Sequence, residues 1–184
     1  MQNRAHMESR EKRLARLRGG SPIESIETLL NSIANFFNNE IELTPDNYQT
    51  SLLFLGIHAS ILTISEAFFG TSGERGYHMF LEKFIDGDTN DTKFSEISPI
   101  LHNWRNILAH QWLGSTGHRI EYNYRMSEGW KIDNEVTVIN PKIYCQKYLD
   151  AFSRGGKIWQ YEHILTEAEL NRAKEIIVHK YESR

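Results

Sequence analysis

Apolar residues along this chain recur mostly at helical spacing. Ile26, Leu29, Leu30, Ile33 and Phe37 repeat every three or four positions, the stripe of a helix with one buried face. Ser21-Pro22-Ile23-Glu24 precedes them and reads as a capping box with proline at the first helical position, so a helix is expected to about Asn38. Thr44-Pro45 repeats the cap-plus-proline signal and opens the longest helix, to about Phe69. Its apolar width places it at the centre of a core. Gly70 to Gly76 reads as a glycine-rich turn, Tyr77 to Ile85 as a short helix, and Asp86 to Asp91 as a polar loop. Ser98-Pro99 starts, or kinks, a further helix that runs through Trp112.

The period changes after Gly114. Ile120, Tyr122 and Tyr124 alternate with Glu121, Asn123 and Arg125, and Trp130 to Ile139 alternates again. With Ser127-Glu128-Gly129 as the turn, this predicts a β-hairpin at about 118–139. Asn140-Pro141 then caps a helix to about Phe152, and Gly155-Gly156 breaks the chain. Thr166-Glu167-Ala168-Glu169 is a second capping box, opening a last helix to about Tyr181. The expected fold is mainly α: a helical bundle with a β-hairpin after the Ser98 helix, one domain over 21–184.

Residues 1–20 stand apart. Arg4, Arg10, Lys12, Arg13, Arg16 and Arg18 face only Glu8 and Glu11 there, and Gly19-Gly20 ends the run. It reads as a basic arm for nucleic acid or a membrane surface, or as a frayed tail with His6-Met7 a cloning junction. The whole chain of 184 residues has a net charge of -3, which argues against a generally basic nucleic-acid binder but leaves room for a small RNA site. No run reaches the roughly 18 apolar residues of a membrane span. Leu52 to Phe69 comes nearest, interrupted by His58, Ser60, Thr63, Ser65 and Glu66. The N-terminal arginines lack a following apolar segment, so no secretory signal is read. The single cysteine, Cys145, excludes an intrachain disulfide and a cysteine-rich metal site. It reads as a small apolar helix residue rather than a catalytic thiol, and fits a reducing, cytoplasmic setting. The Asp86–Asp91 loop mimics an acidic calcium loop, but its spacing fails and no glutamate closes it. No metal and no cofactor are expected.

The most informative stretch is Arg105-Asn106-Ile107-Leu108-Ala109-His110. At about 100° per residue, Leu101, Trp104, Leu108 and Trp112 share one stripe of the helix. Asn103, Asn106 and His110 lie opposite, with Asn106 and His110 one turn apart, and the long stem of Arg105 can reach that face. An arginine, an amide and an imidazole suit phosphodiester chemistry. Histidine moves protons near neutral pH, arginine offers a fixed fork of donors to phosphate oxygens, and asparagine orients the imidazole or adds a phosphate hydrogen bond. There is no carboxylate pair, so glycosidase or two-metal chemistry is not indicated. Arg172 and His179 repeat the arginine-then-histidine order on the last helix, but without the asparagine and on a charged surface.

At this motif the sequence resembles the HEPN superfamily (higher eukaryotes and prokaryotes nucleotide-binding domain). Its signature is arginine, commonly followed by asparagine, then histidine four to six residues after the arginine. The resemblance covers roughly Ser21 to Trp112 as helical architecture and only the six motif positions in specific residues. It implies a metal-independent endoribonuclease in which Arg105, Asn106 and His110 are catalytic, acting on RNA as a toxin or phage-defence effector. It implies a homodimer, because two motif helices meet in one composite site, and an antitoxin protein as a partner. One branch carries a tyrosine two residues after the histidine, which an antitoxin enzyme modifies; here that residue is Trp112. Some members have lost catalysis, so a nucleotide- or protein-binding module is the alternative, and a purely structural dimer surface a third reading.

Further residues join the candidate site. Glu66 is placed to pair with Arg105 and aim it, and Asn103 supports the polar face. Arg119, Arg125 and Lys131 of the hairpin are candidate RNA phosphate contacts. His58, among Leu53, Leu55 and Ile57, reads as a hydrogen-bonded core histidine. His102, about 120° from Leu108, is read as off the Asn106–His110 line.

Overall fold

The helices that begin at Pro22, Pro141 and Glu167 start where the sequence places their capping residues. The computed structural model describes residues 9–38, 50–87, 92–110 and 119–183. Its helices are α1 (Arg10–Gly19), α2 (Pro22–Ile33), α3 (Thr50–Phe69), α4 (Gly73–Phe80), α5 (Ser98–His110), α6 (Pro141–Phe152) and α7 (Glu167–Glu182). Short π turns extend α2 through Asn38 and α4 through Ile85. Both capping boxes form: Ser21 with Glu24, and Thr166 with Glu169, exchange side-chain and backbone hydrogen bonds. Buried Asn140 accepts from the amides of Lys142 and Ile143 at the start of α6 and donates to the Met126 carbonyl. The Thr44-Pro45 signal lies outside the described residues.

α3 is the axis of the bundle. It packs on α4, α5, α6 and α7, while α2 closes on α7. Leu53, Phe54, Ile57, Ile61, Ile64 and Phe68 are all buried, each worth about 1.5–3 kcal/mol on transfer from water. The polar residues that interrupt this helix are bonded inside the fold. Ser60 Oγ meets Tyr148 Oη at 2.6 Å, and Ser65 Oγ donates to the Gly76 carbonyl. Contrary to the sequence expectation, α3, alone among the described residues, is long and apolar enough to cross a bilayer, but over half of its apolar window is buried within the fold. α3 ends at Gly70, whose φ of +65° is the left-handed conformation that favours glycine. The glycine turn is shorter than expected, since α4 begins at Gly73.

The strands depart from the predicted pairing. β1 (Arg119–Tyr122), β2 (Trp130–Asp133) and β3 (Val136–Ile139) form one sheet in the order β1-β3-β2. The hairpin is β2–β3, with Trp130 opposite Ile139 and Asp133 opposite Val136. β1 runs parallel to β3 on its other side, Arg119 beside Val136. The turn is therefore Asn134-Glu135, both at positive φ (47° and 67°), the backbone whose twist suits a two-residue hairpin. Residues Ser127-Glu128-Gly129 belong instead to the crossover from β1 to β2. Gly129 lies so close to Phe94 that a Cβ would stand 2.8 Å from its ring.

Two other segments take unexpected structural roles. From Arg10 on, the basic arm is a helix, not a frayed tail. Leu17 is fully buried, Arg10 donates to the carbonyls of Tyr181 and Glu182, and Arg18 forms an ion pair with Glu182 at 2.7 Å. Arginines at the end of α7 satisfy its last carbonyls and oppose its dipole. In the polar loop, Asp86 is buried and accepts from the amides of Phe94 and Ser95. Its carboxylate thus starts the short helix Phe94–Ile97 that leads into α5. Cys145 is buried in α6, as an apolar residue would be.

Candidate active site

α5 carries the motif, and two neighbours set its rotation. Leu101 and Leu108 are buried in the core. Trp104 donates its indole N–H to Tyr122 Oη of β1 at 2.9 Å. Tyr122 stacks on Phe54 of α3, and burial pushes its hydroxyl up to about 12, so it stays neutral. The sheet thus holds one side of α5. On the other flank α5 presents half-buried His102, Arg105 and Asn106.

Arg105 Nη1 donates to Asn106 Oδ1 at 2.9 Å. This contact orients a planar fork of five N–H groups, the geometry that matches paired phosphate oxygens. The sequence reading paired Asn106 with His110; in the fold its Oδ1 accepts from Arg105 instead. His110 closes α5. Its side chain, and Trp112 with residues 111–118, lie outside the described residues.

The structure adds a histidine pair. His58 of α3 and His102 of α5 share a hydrogen bond, Nε2 to Nδ1, at 3.0 Å. His58 is buried and stacks on Tyr77 of α4, ring centres 4.0 Å apart. Tyr77 in turn bonds Tyr144 of α6 through their hydroxyls at 2.6 Å. Burial above all, then the proximity of His102 and Arg105, pushes His58 down to about 3. His58 is therefore a neutral imidazole at neutral pH. His102 is also lowered, by burial first; Glu74 opposes this and Arg105 adds to it. His58 is the hydrogen-bonded core histidine the sequence indicated. His102 corrects the reading that set it aside, for it stands one turn ahead of Asn106. Four residues advance an α-helix by only about 40°, so the two share a flank.

Other candidates fare differently. Glu66 does not pair with Arg105: its carboxylate accepts from Lys180 Nζ of α7 at 2.6 Å. The side chain of Glu66 leaves α3 towards α7, away from the flank that meets α5. Asn103 is exposed on the outer face of α5. Arg125 is exposed beyond β1, and Lys131 on β2 lies 3.7 Å from Asp133, which offsets its charge. The side chain of Arg119 lies outside the described residues. Among the described residues, no group of three or more His, Cys, Asp or Glu side chains is placed to hold a metal ion.

The arrangement offers a fixed guanidinium, a carboxamide and two imidazoles on adjoining surfaces of α3 and α5. No family model, no curated protein and no solved structure matches the chain.

Proposed function

We propose that this chain is a metal-independent endoribonuclease of the HEPN type. One observation carries the reading: the Arg105 guanidinium is held by Asn106 at 2.9 Å on the helix that ends at His110. In this reading the substrate's own 2′-hydroxyl attacks the adjacent phosphorus. The P–O5′ bond breaks, leaving a 2′,3′-cyclic phosphate and a free 5′-hydroxyl. Arg105 stabilises charge on the non-bridging oxygens, Asn106 keeps the fork in place, and His110 gives the proton to the departing O5′. Because the nucleophile belongs to the RNA, no metal is needed to generate it. Arg119 and Arg125 make phosphate contacts, with Lys131 the weakest of the three because of Asp133. A HEPN-like bundle of α2 to α5 brings two copies together so that their motif helices form one composite site. A toxin or phage-defence role, with an antitoxin partner restraining it, goes with this activity.

The test is cleavage of single-stranded RNA in the presence of EDTA. Wild-type protein should cut and leave cyclic phosphate ends. His110→Ala should abolish cutting while RNA binding survives, since phosphate contacts come largely from arginine and lysine. Equal degradation by both proteins would assign the activity elsewhere. The chain would then be better read as a non-catalytic module that holds a nucleotide or a protein partner.

A further inference from the structure

We infer that His102 is a second catalytic histidine, the base that takes the 2′-hydroxyl proton, and that His58 positions it; this rests on the ribonuclease reading above.

His102, Asn106 and His110 are spaced four residues apart on α5, so they form a line that drifts by about 40° per step. The rise from His102 to His110 is about 12 Å, with Arg105 and Asn106 between them. An in-line displacement needs its base and its acid on opposite sides of the phosphorus. A phosphate gripped by Arg105 lies between the two histidine positions, as that reaction requires. His58 holds Nδ1 of His102 at 3.0 Å, leaving Nε2 as the nitrogen for substrate. Being buried and stacked on Tyr77, His58 fixes the ring plane and the tautomer of His102. The proton from O2′ passes to His102 Nε2 as the O2′–P bond forms. The proton of the His110 imidazolium passes to O5′ as the P–O5′ bond breaks.

The surroundings suit a base. Among the described residues, the groups that face His102 are His58 from α3, Glu74 and Tyr77 from α4, and Arg105 from α5. Burial and Arg105 outweigh Glu74 and lower His102 below 6.5. It is therefore mostly unprotonated at neutral pH and can accept the proton. Cleavage should fall in acid as His102 becomes protonated, with the midpoint of that limb below 6.5.

The experiment compares wild type, His102→Ala, His102→Gln and His110→Ala on ordinary RNA and on RNA with a bridging 5′ sulfur. A thiolate leaves without a proton, so that substrate bypasses the acid but not the base. Both His102 variants should lose about 100-fold or more on either substrate, keep RNA binding, and lose the acidic limb. The sulfur should restore cleavage to His110→Ala only. His58→Phe should lower kcat with little change in KM and shift the acidic limb, while His58→Gln, which can still bond Nδ1, should lose less. If sulfur rescues the His102 variants, the base assignment is wrong. If His110→Ala is inactive but the His102 variants cut at the wild-type rate, this inference fails and the ribonuclease reading stands. Wild type that leaves RNA whole in EDTA removes both. An unchanged profile in His58→Phe would remove the positioning role.

Discussion

At the scale of single residues, two groups have consequences that chemistry alone predicts. Arg105 acts through a planar fork, so Arg105→Lys keeps the charge and loses the paired donors. In the proposed reaction this should cost about 1.5–3 kcal/mol of transition-state stabilisation, read as a fall in kcat/KM of roughly 10- to 150-fold. Asn106→Ala should cost less, about 0.5–1.5 kcal/mol for one orienting hydrogen bond. His58 bears on stability. Its pKa is about 3 in the fold against 6.5 ordinarily, so between those values the unfolded chain binds the extra proton. Its stabilising contribution is full above pH 6.5, declines as pH falls through this window, and is gone once pH drops below the folded value. His58→Phe keeps a ring against Tyr77 but removes the titration. Its melting temperature should therefore fall less than that of wild type as pH drops from 7 to 4. Parallel curves for the two proteins would show that His58 does not resist protonation in the fold.

Elements were legible in proportion to how local their causes are. A capping box spans four residues, so Ser21 with Glu24 and Thr166 with Glu169 marked their helices correctly. The same holds for Asn140-Pro141 before α6. Strand pairing is not local. The alternation around Ile120 and Tyr122 marked a strand, but nothing in it says which neighbour it meets. Ser127-Glu128-Gly129 looked like the turn because glycine usually supplies positive φ, whereas Asn134 and Glu135 adopt it here. Glutamate pays a steric penalty in that conformation that glycine does not. Glu135→Gly should therefore stabilise the protein by up to about 1 kcal/mol, seen as a higher denaturant midpoint at unchanged slope. Loss of stability would mean that Glu135 makes a contact worth more than its backbone strain.

For the whole molecule, the decisive question is whether the motif flank meets a second copy. The composite-site reading predicts a dimer by light scattering at micromolar concentration, with or without RNA. A monomer that stays monomeric on adding RNA would count heavily against that arrangement. The basic arm belongs to this scale as well. Its charge reads as an arm for nucleic acid or a membrane surface, or as a frayed tail, yet Leu17 is fully buried and Arg10 and Arg18 hold the end of α7. Arginines spaced along a helix can bury an apolar residue and still be read as a charge run, because composition does not report phase.

The sequence by itself determined the helical class, several helix starts and the central place of the long apolar helix. Each of these follows from interactions within about one turn of the chain or from a stripe along one element. Tertiary structure decided the rest. It sent Glu66 to Lys180 rather than Arg105, set β1 parallel to β3, and joined His58 to His102 across forty-four positions of sequence. Such contacts depend on how helices rotate and cross, which long-range packing sets. A pattern of polar and apolar positions marks the face of an element, but the partner of that face exists only once the chain has folded.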